Sequence, residues 1–212
     1  MSPRFGVPVL IALLLASSWA FTNNDTVEQW VSENTIVVQE QEVPLLQLQE
    51  QERWLVIVID FESSPATESS GPTQAELLLN DVAREYLSQL SGSNTQVHID
   101  VSPRVTRASG SLSDYGSDFN GNRDMDANGE FLPMKLAEEA VLDHINYADW
   151  DEYDLNDDGI VDRLLILHTS KGQEESPGQT SNIWSHFTRF DTSIEVENGV
   201  DVGHYTMASI RT

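Results

Sequence analysis

Two stretches of this sequence set oxygen-bearing side chains on alternate residues ahead of a glycine. The clearer one reads Asp154-Leu155-Asn156-Asp157-Asp158-Gly159-Ile160-Val161-Asp162. Oxygens from Asp154, Asn156 and Asp158 can wrap one cation while Gly159 lets the backbone turn tightly. The carbonyl of Ile160 and the carboxylate of Asp162 would add further oxygens. Calcium suits such a set because it takes six to eight oxygen ligands in a flexible shell. The twelfth position is Leu165, where an EF-hand needs a bidentate glutamate, and a strand rather than a helix follows. An EF-hand is therefore excluded, and a calcium loop of another kind is expected. A solvated Asp/Asn turn without an ion is the plainer alternative.

The second stretch is Asp124-Met125-Asp126-Ala127-Asn128-Gly129-Glu130. Asp124, Asp126 and Asn128 are its candidate calcium ligands, and its twelfth position, Lys135, again fails the EF-hand pattern. The histidines are His98, His144, His168, His186 and His204. No two stand four apart, the spacing that puts two zinc ligands on one helical face, and HExxH is absent. A histidine at the end of a strand usually serves as a hydrogen-bonded core or rim residue. No GxSxG, GxxxxGK[ST] or GxGxxG occurs, and the carboxylates are too many to single out a catalytic pair. No catalytic residue and no zinc ligand can be named from these patterns.

The elements that must position these loops are legible from periodicity. Trp54 to Phe61 is a continuous apolar, β-branched run, as in a strand covered on both faces. Ser63 to Pro72 is a polar loop. Thr73 and Glu76 have capping-box spacing, and Ala75, Leu78, Leu79, Val82, Ala83, Tyr86, Leu87 and Leu90 form one stripe of a helix stopped at Gly92. Gln96 to Val101 alternates as a strand. Ser109 to Gly129 reads as a long loop. A second helix is predicted from Leu132 to about Ile145, with Met134, Ala137, Ala140, Val141 and Ile145 inward. Arg163 to His168 is a buried strand, and Asn198-Gly199 marks a hairpin with a primed turn. Strands alternating with helices give an α/β layered fold.

The chain has 212 residues, no cysteine and a formal net charge of −24. That length suits one domain or part of a larger one, with a real core. The charge argues against nucleic acid as a partner and agrees with solubility in salt and affinity for hard cations. Arg4, the apolar run Phe5 to Leu15 and Ser18-Trp19-Ala20 read as an export signal, residues 1–20, too short for a comfortable membrane span. Residues 21–52 are a polar extension or propeptide remnant, and 53–212 form the globular part. The expected location is extracellular, with no membrane contact after cleavage. The lack of disulfides in an exported chain points to a bacterial source. Oligomeric state is not set by these features.

From Tyr115 onward the chain resembles the immune inhibitor A family of secreted zinc metallopeptidases. The resemblance is carried by Tyr115-Gly116-Ser117-Asp118, by Glu138-Glu139-Ala140-Val141, and by Tyr153 to Asp162 running into Leu164 to His168. Lys171-Gly172-Gln173-Glu174-Glu175 and Ile183-Trp184-Ser185-His186 continue it, and Trp54 to Phe61 is similar to the family's first strand. Together these span roughly residues 54 to 210, about three quarters of the chain. The resemblance implies a zincin-like layered domain, a catalytic zinc, bound calcium and protein substrates outside the cell. Two histidines of a helix and a third ligand would hold the zinc, with a glutamate as general base on the zinc-bound water.

In that family the zinc helix follows the Trp-x-His segment and one more strand. Here Thr212 comes directly after that strand, so the expected domain is incomplete: a twisted sheet with two main helices, sheet edges and an apolar face left uncovered. The resemblance carries over neither zinc ligands nor the base. It carries over the acidic loop as a calcium site, and it gives Trp184 and His186 a structural role. The reading is the N-terminal part of a calcium-stabilised secreted endopeptidase, inactive alone, with zinc belonging to the full-length parent. A non-catalytic secreted calcium-binding domain is the alternative.

Overall fold

The computed structural model describes residues 50–90, 95–176, 178–197 and 199–211, together with 17, 19, 21–23 and 25–26. The predicted signal and extension fall largely outside these residues, as do Gly92 and Asn198. The chain divides into units Met1–Leu45 and Leu46–Thr212. In the first, the described residues include a short helical turn in which the Asn23 amide donates to the Trp19 carbonyl at 2.9 Å.

The second unit is built on a five-stranded sheet. Its strands are β1 (Gln51–Asp60), β2 (Gln96–Arg107), β3 (Leu164–Lys171), β4 (His186–Glu197) and β5 (Val200–Arg211). Their spatial order is β2-β1-β3-β5-β4. β1 pairs in parallel with β2 and β3, β3 pairs in parallel with β5, and β4 closes one edge antiparallel to β5. Central parallel strands need apolar residues on both faces, and β1 provides them. Leu55, Ile57 and Ile59 join Leu164, Ile166, Tyr205 and Met207 in one core, while Val56 and Val58 join Leu165, Leu167 and Ile210 in the other. The α/β class predicted from the sequence is the class observed.

The helices are α1 (Pro72–Leu78), α2 (Arg84–Leu90), α3 (Leu112–Gly116) and α4 (Pro133–His144). α4 covers the first core with Leu136, Ala137, Ala140 and Val141, and Met134 and Ile145 pack at its border, as the predicted helix requires. The predicted helix from Thr73 to Leu90 needs two corrections. It starts from Gly71 with Pro72 in the first turn and no side-chain cap, so the Thr73/Glu76 capping box does not form. A π-helical turn, Leu79–Ala83, then separates α1 from α2. Each inserted residue turns the apolar stripe by about 100°. Ala75 and Leu79 reach the second core, while Val82, Tyr86 and Leu90 are left exposed.

Two further elements differ from expectation. β2 runs six residues past Val101, with a bulge where Ser102-Pro103-Arg104 passes β1 between Val56 and Val58. An edge strand tolerates Pro103 because its outer side needs no ladder donor. The predicted loop after Ser109 contains α3, closed by a capping box between Ser111 and Asp114. The predicted hairpin is present: β4 meets β5 with Glu197 opposite Val200, and Gly199 takes a φ of 85°.

Candidate functional site

The loop from Asp154 to Asp162 enters β3 and is closed on itself by its own side chains. The Asp154 carboxylate accepts the Asp158 amide at 3.1 Å and the Gly159 amide at 2.7 Å. Asn156 Oδ1 accepts the Asp158 amide at 3.0 Å, and Asp158 Oδ1 accepts the Ile160 amide at 2.9 Å. Asp162 Oδ2 accepts the Leu155 amide at 2.8 Å, bringing the two ends of the loop together. Asp157 and Gly159 take positive φ, 57° and 82°, the sharp turn that the glycine was expected to allow. Asp154 and Asp162 are buried, while Asn156 and Asp158 face outward. All four predicted side chains and the Ile160 carbonyl therefore belong to one compact loop. Its base is anchored: the His204 Nε2–H donates to the Asp162 carbonyl at 3.0 Å, and Gly159 and Val161 exchange hydrogen bonds with Asp201 of β5.

The second predicted loop is divided. Asp126 Oδ1 accepts the amides of Asn128 and Glu130 at 2.8 and 2.9 Å, and its other oxygen accepts the Asn128 side-chain amide. Asp124 instead sends its carboxylate out of the loop, where Oδ2 accepts the Trp184 amide at 3.0 Å. It is 1% exposed, and burial pushes its carboxyl up to about 6. The charges of Asp118 and Glu174 add to that push, opposed by the Trp184 amide and Arg123.

Around Asp124 lie groups for which no role was expected. Asp118 Oδ1 accepts the Asp124 amide at 3.1 Å, and Gln173 Nε2 donates to Asp118 Oδ2 at 2.8 Å. Glu174 accepts the Ser185 amide and hydroxyl. Gln173 and Glu174 stand just past the end of β3, whereas the 154–162 loop precedes its start. At about 3.3 Å per residue, the eight residues of β3 hold the two acidic regions roughly 25 Å apart.

The histidines are dispersed. His98 lies at the surface, 3.6 Å from Asp100. His144 Nδ1–H donates to the Ala140 carbonyl, and its Nε2 lies 3.0 Å from Ser102 Oγ. His186, half-buried, donates to the Trp184 carbonyl at 2.8 Å and sits edge-on to Phe131 and Tyr205. His168 is fully buried beside Ser170, and burial pushes it down to about 4. Among the described residues no three histidine, aspartate or glutamate side chains are placed to hold a metal ion. These histidines do not fit a catalytic zinc, which needs three convergent protein ligands.

The model of a metallopeptidase catalytic domain, described as Immune inhibitor A peptidase M6, matches residues 47–208. The chain belongs to that family. It is 30% identical over 121 residues to Immune inhibitor A of Bacillus thuringiensis subsp. alesti, covering 49% of this chain and 17% of that protein. It is 34% identical over 116 residues to Pre-pro-metalloprotease PrtV of Vibrio cholerae serotype O1 (strain M66-2), covering 49% of this chain and 12% of that one. The aligned part is thus less than a fifth of either relative. The resemblance seen in the sequence is borne out. Family membership implies a metal, typically zinc. No helix among the described residues is long and apolar enough to cross a membrane.

Proposed function

We propose that this chain forms the sheet-bearing, N-terminal part of the catalytic domain of a secreted, zinc-dependent endopeptidase acting on extracellular proteins. The match to the family's catalytic domain over residues 47–208 carries this reading. The layered arrangement is zincin-like, an inference resting on the family. The sequence contains no HExxH, so hydrolysis requires zinc ligands and a general base that these residues do not supply. The contribution of this chain is structural: the sheet and α4 form the wall on which such a site would be built. The apolar run after Arg4 supports export, and the family's bacterial members agree with it.

The loop of Asp154, Asn156, Asp158, Ile160 and Asp162 holds calcium in this reading. Its support is the tight turn at Gly159 and the buried, inward carboxylates of Asp154 and Asp162. Asp126 and Asn128 remain a lesser candidate, since Asp124, the first ligand of that set, turns its carboxylate to the Trp184 amide. Calcium binding to the folded chain alone stabilises it. One millimolar calcium chloride should raise the melting temperature by about 5–10 °C for a dissociation constant near 10 µM. The double substitution D154N/D158N should remove a large part of that rise. An unchanged melt on adding calcium would sink the calcium part of the proposal.

A non-catalytic secreted calcium-binding domain is the second reading. The dispersal of the described histidines favours it. Hydrolysis of a protein substrate by any longer product of the same reading frame would eliminate it.

A further inference from the structure

We infer that Asn120 is a site of spontaneous deamidation, with the Gly121 main-chain nitrogen as nucleophile, and that Asn128, in the same dipeptide further along the chain, is held back from this reaction by its own turn. The inference does not rest on the peptidase reading. Asn120-Gly121 and Asn128-Gly129 are equal as sequence, and both pairs are exposed. A Cβ built on Gly121 or on Gly129 meets nothing within 4 Å, so neither nitrogen is shielded. Hydrogen bonding decides between them.

Asn120 and Gly121 are the central residues of a tight turn, with φ of 50° and 83°, the primed form that favours Asn-Gly. The turn is closed where Phe119 and Asn122 exchange amide-to-carbonyl bonds, each 3.0 Å. Among the described residues nothing bonds the Asn120 side chain or the Gly121 amide. Phe119 is 41% exposed, so burial does not anchor the turn. Such a bridge opens locally with a small free-energy change, which lets Asn120 bring its Cγ over the Gly121 nitrogen.

Asn128 is placed differently. Its side-chain amide donates to Asp126 Oδ2 at 3.1 Å and its main-chain amide to Oδ1 at 2.8 Å. The Gly129 amide, which would be the nucleophile, donates to the Asp126 carbonyl at 3.2 Å. Glu130 closes the turn, its amide donating to Asp126 Oδ1 at 2.9 Å and its carbonyl accepting the Asp126 amide at 3.0 Å. Both reacting groups are engaged, and several bonds must break before they can meet.

The step balances with water as the co-reactant. The Gly121 nitrogen loses its proton to solvent base and bonds to Asn120 Cγ. The Cγ–Nδ2 bond breaks, and ammonia leaves. The cyclic imide then takes up water at either carbonyl, giving aspartate or, where the main chain runs through the former side chain, isoaspartate. Either product adds a negative charge to the loop that Asp118 ties to Gln173 at 2.8 Å.

The test is ageing of the whole chain in mildly alkaline buffer, followed by tryptic digestion and mass spectrometry beside an unaged sample. Trypsin cuts after Arg107, Arg123 and Lys135, so the two dipeptides fall in separate peptides. In the folded chain the 108–123 peptide should convert about tenfold faster than the 124–135 peptide. In denaturing urea the two should convert alike. D126A should speed conversion at Asn128 about threefold or more and leave Asn120 unchanged. If circular dichroism shows that D126A is not folded, the comparison of folded and urea-treated wild type decides alone. Equal conversion of the two peptides in the folded chain, faster conversion at Asn128, or fragment ions placing the change at Asn122 instead of Asn120 would overturn the inference.

Discussion

Replacing Arg163 with Met should be among the most damaging single changes in this domain. Arg163 leaves the acidic loop and enters β3, and its side chain spans back to the start of β1. Its Nε donates to Glu52 Oε2 at 2.8 Å and its Nη2 to Oε1 at 3.1 Å, a two-point pairing. Glu52 is fully buried and Arg163 nearly so, with side-chain exposures of 0% and 14%. Trp54 Nε1 donates to the same carboxylate at 3.3 Å, and Arg163 Nη1 donates to the Asp162 carbonyl. R163M removes the cation that pairs at two points with this buried carboxylate. Breaking a buried pair from one side costs about 3–5 kcal/mol. With a urea slope of about 2 kcal/mol per molar, the midpoint should fall by roughly 1.5–2.5 M. E52Q/R163M removes both charges and should recover most of that loss, because the penalty lies in the stranded charge rather than in the missing bond. Urea unfolding followed by tryptophan fluorescence measures all three proteins. A loss below about 1 kcal/mol for R163M would refute the reasoning, as would a double variant no better than the single.

Other expectations follow from particular contacts. Gly116→Ala would place a methyl 2.7 Å from the main-chain atoms Asn182 C and Ile183 N, which cannot move aside like a side-chain tip. A loss of about 1–3 kcal/mol in thermal or urea unfolding is expected. Acidification should expose the burial of His168. Its imidazole is pushed below its usual value, to about 4, so the unfolded chain takes up its proton first. The stability it contributes is present above about 6.5 and is lost as pH falls from there through about 4. Asp124 works in the opposite sense: with a carboxyl raised to about 6, its burial penalty is relieved as pH falls through that value. His168→Phe should therefore flatten the decline of unfolding free energy between pH 6.5 and 4.5. A decline as steep in the variant as in the wild type would contradict the assignment.

The parts of the fold that were legible in the sequence are those where local pattern and tertiary demand coincide. Trp54 to Ile59 and Leu164 to Leu167 are apolar on every residue because both faces of a central parallel strand are covered. The helix after Leu132 and the hairpin turn at Gly199 follow equally local rules. The helix before Leu90 misled for a physical reason. Its apolar spacing assumes a regular turn, and the π turn at Leu79–Ala83 rotates the later half of the stripe out of register. α3 was hidden in a polar stretch, although Ser111 and Asp114 carry capping-box spacing that could have revealed it.

The candidate sites divide in the same way. The oxygens of Asp154 to Asp162 act within nine consecutive residues, so spacing alone gathered them. Asp118 and Asp124 share one loop, and Gln173 meets Asp118 from just past the end of β3. Asp124 stood out by its spacing to Asp126 and Asn128, whereas only the similarity to a known family drew attention to the segments of Asp118 and Gln173, and it gave those side chains no role. Periodicity gave no sign that the Asp124 side chain accepts the amide of Trp184, sixty residues away.

The central proposal is that this chain forms part of the framework of a metallopeptidase catalytic domain and that its own residues do not hydrolyse peptides. The most direct measurement is hydrolysis of fluorescein-labelled casein by the purified chain, supplied with zinc and calcium in excess. The account predicts no cleavage above the protein-free control and no stoichiometric zinc retained after gel filtration. Cleavage that is abolished by a zinc chelator, together with one zinc retained per chain, would contradict it.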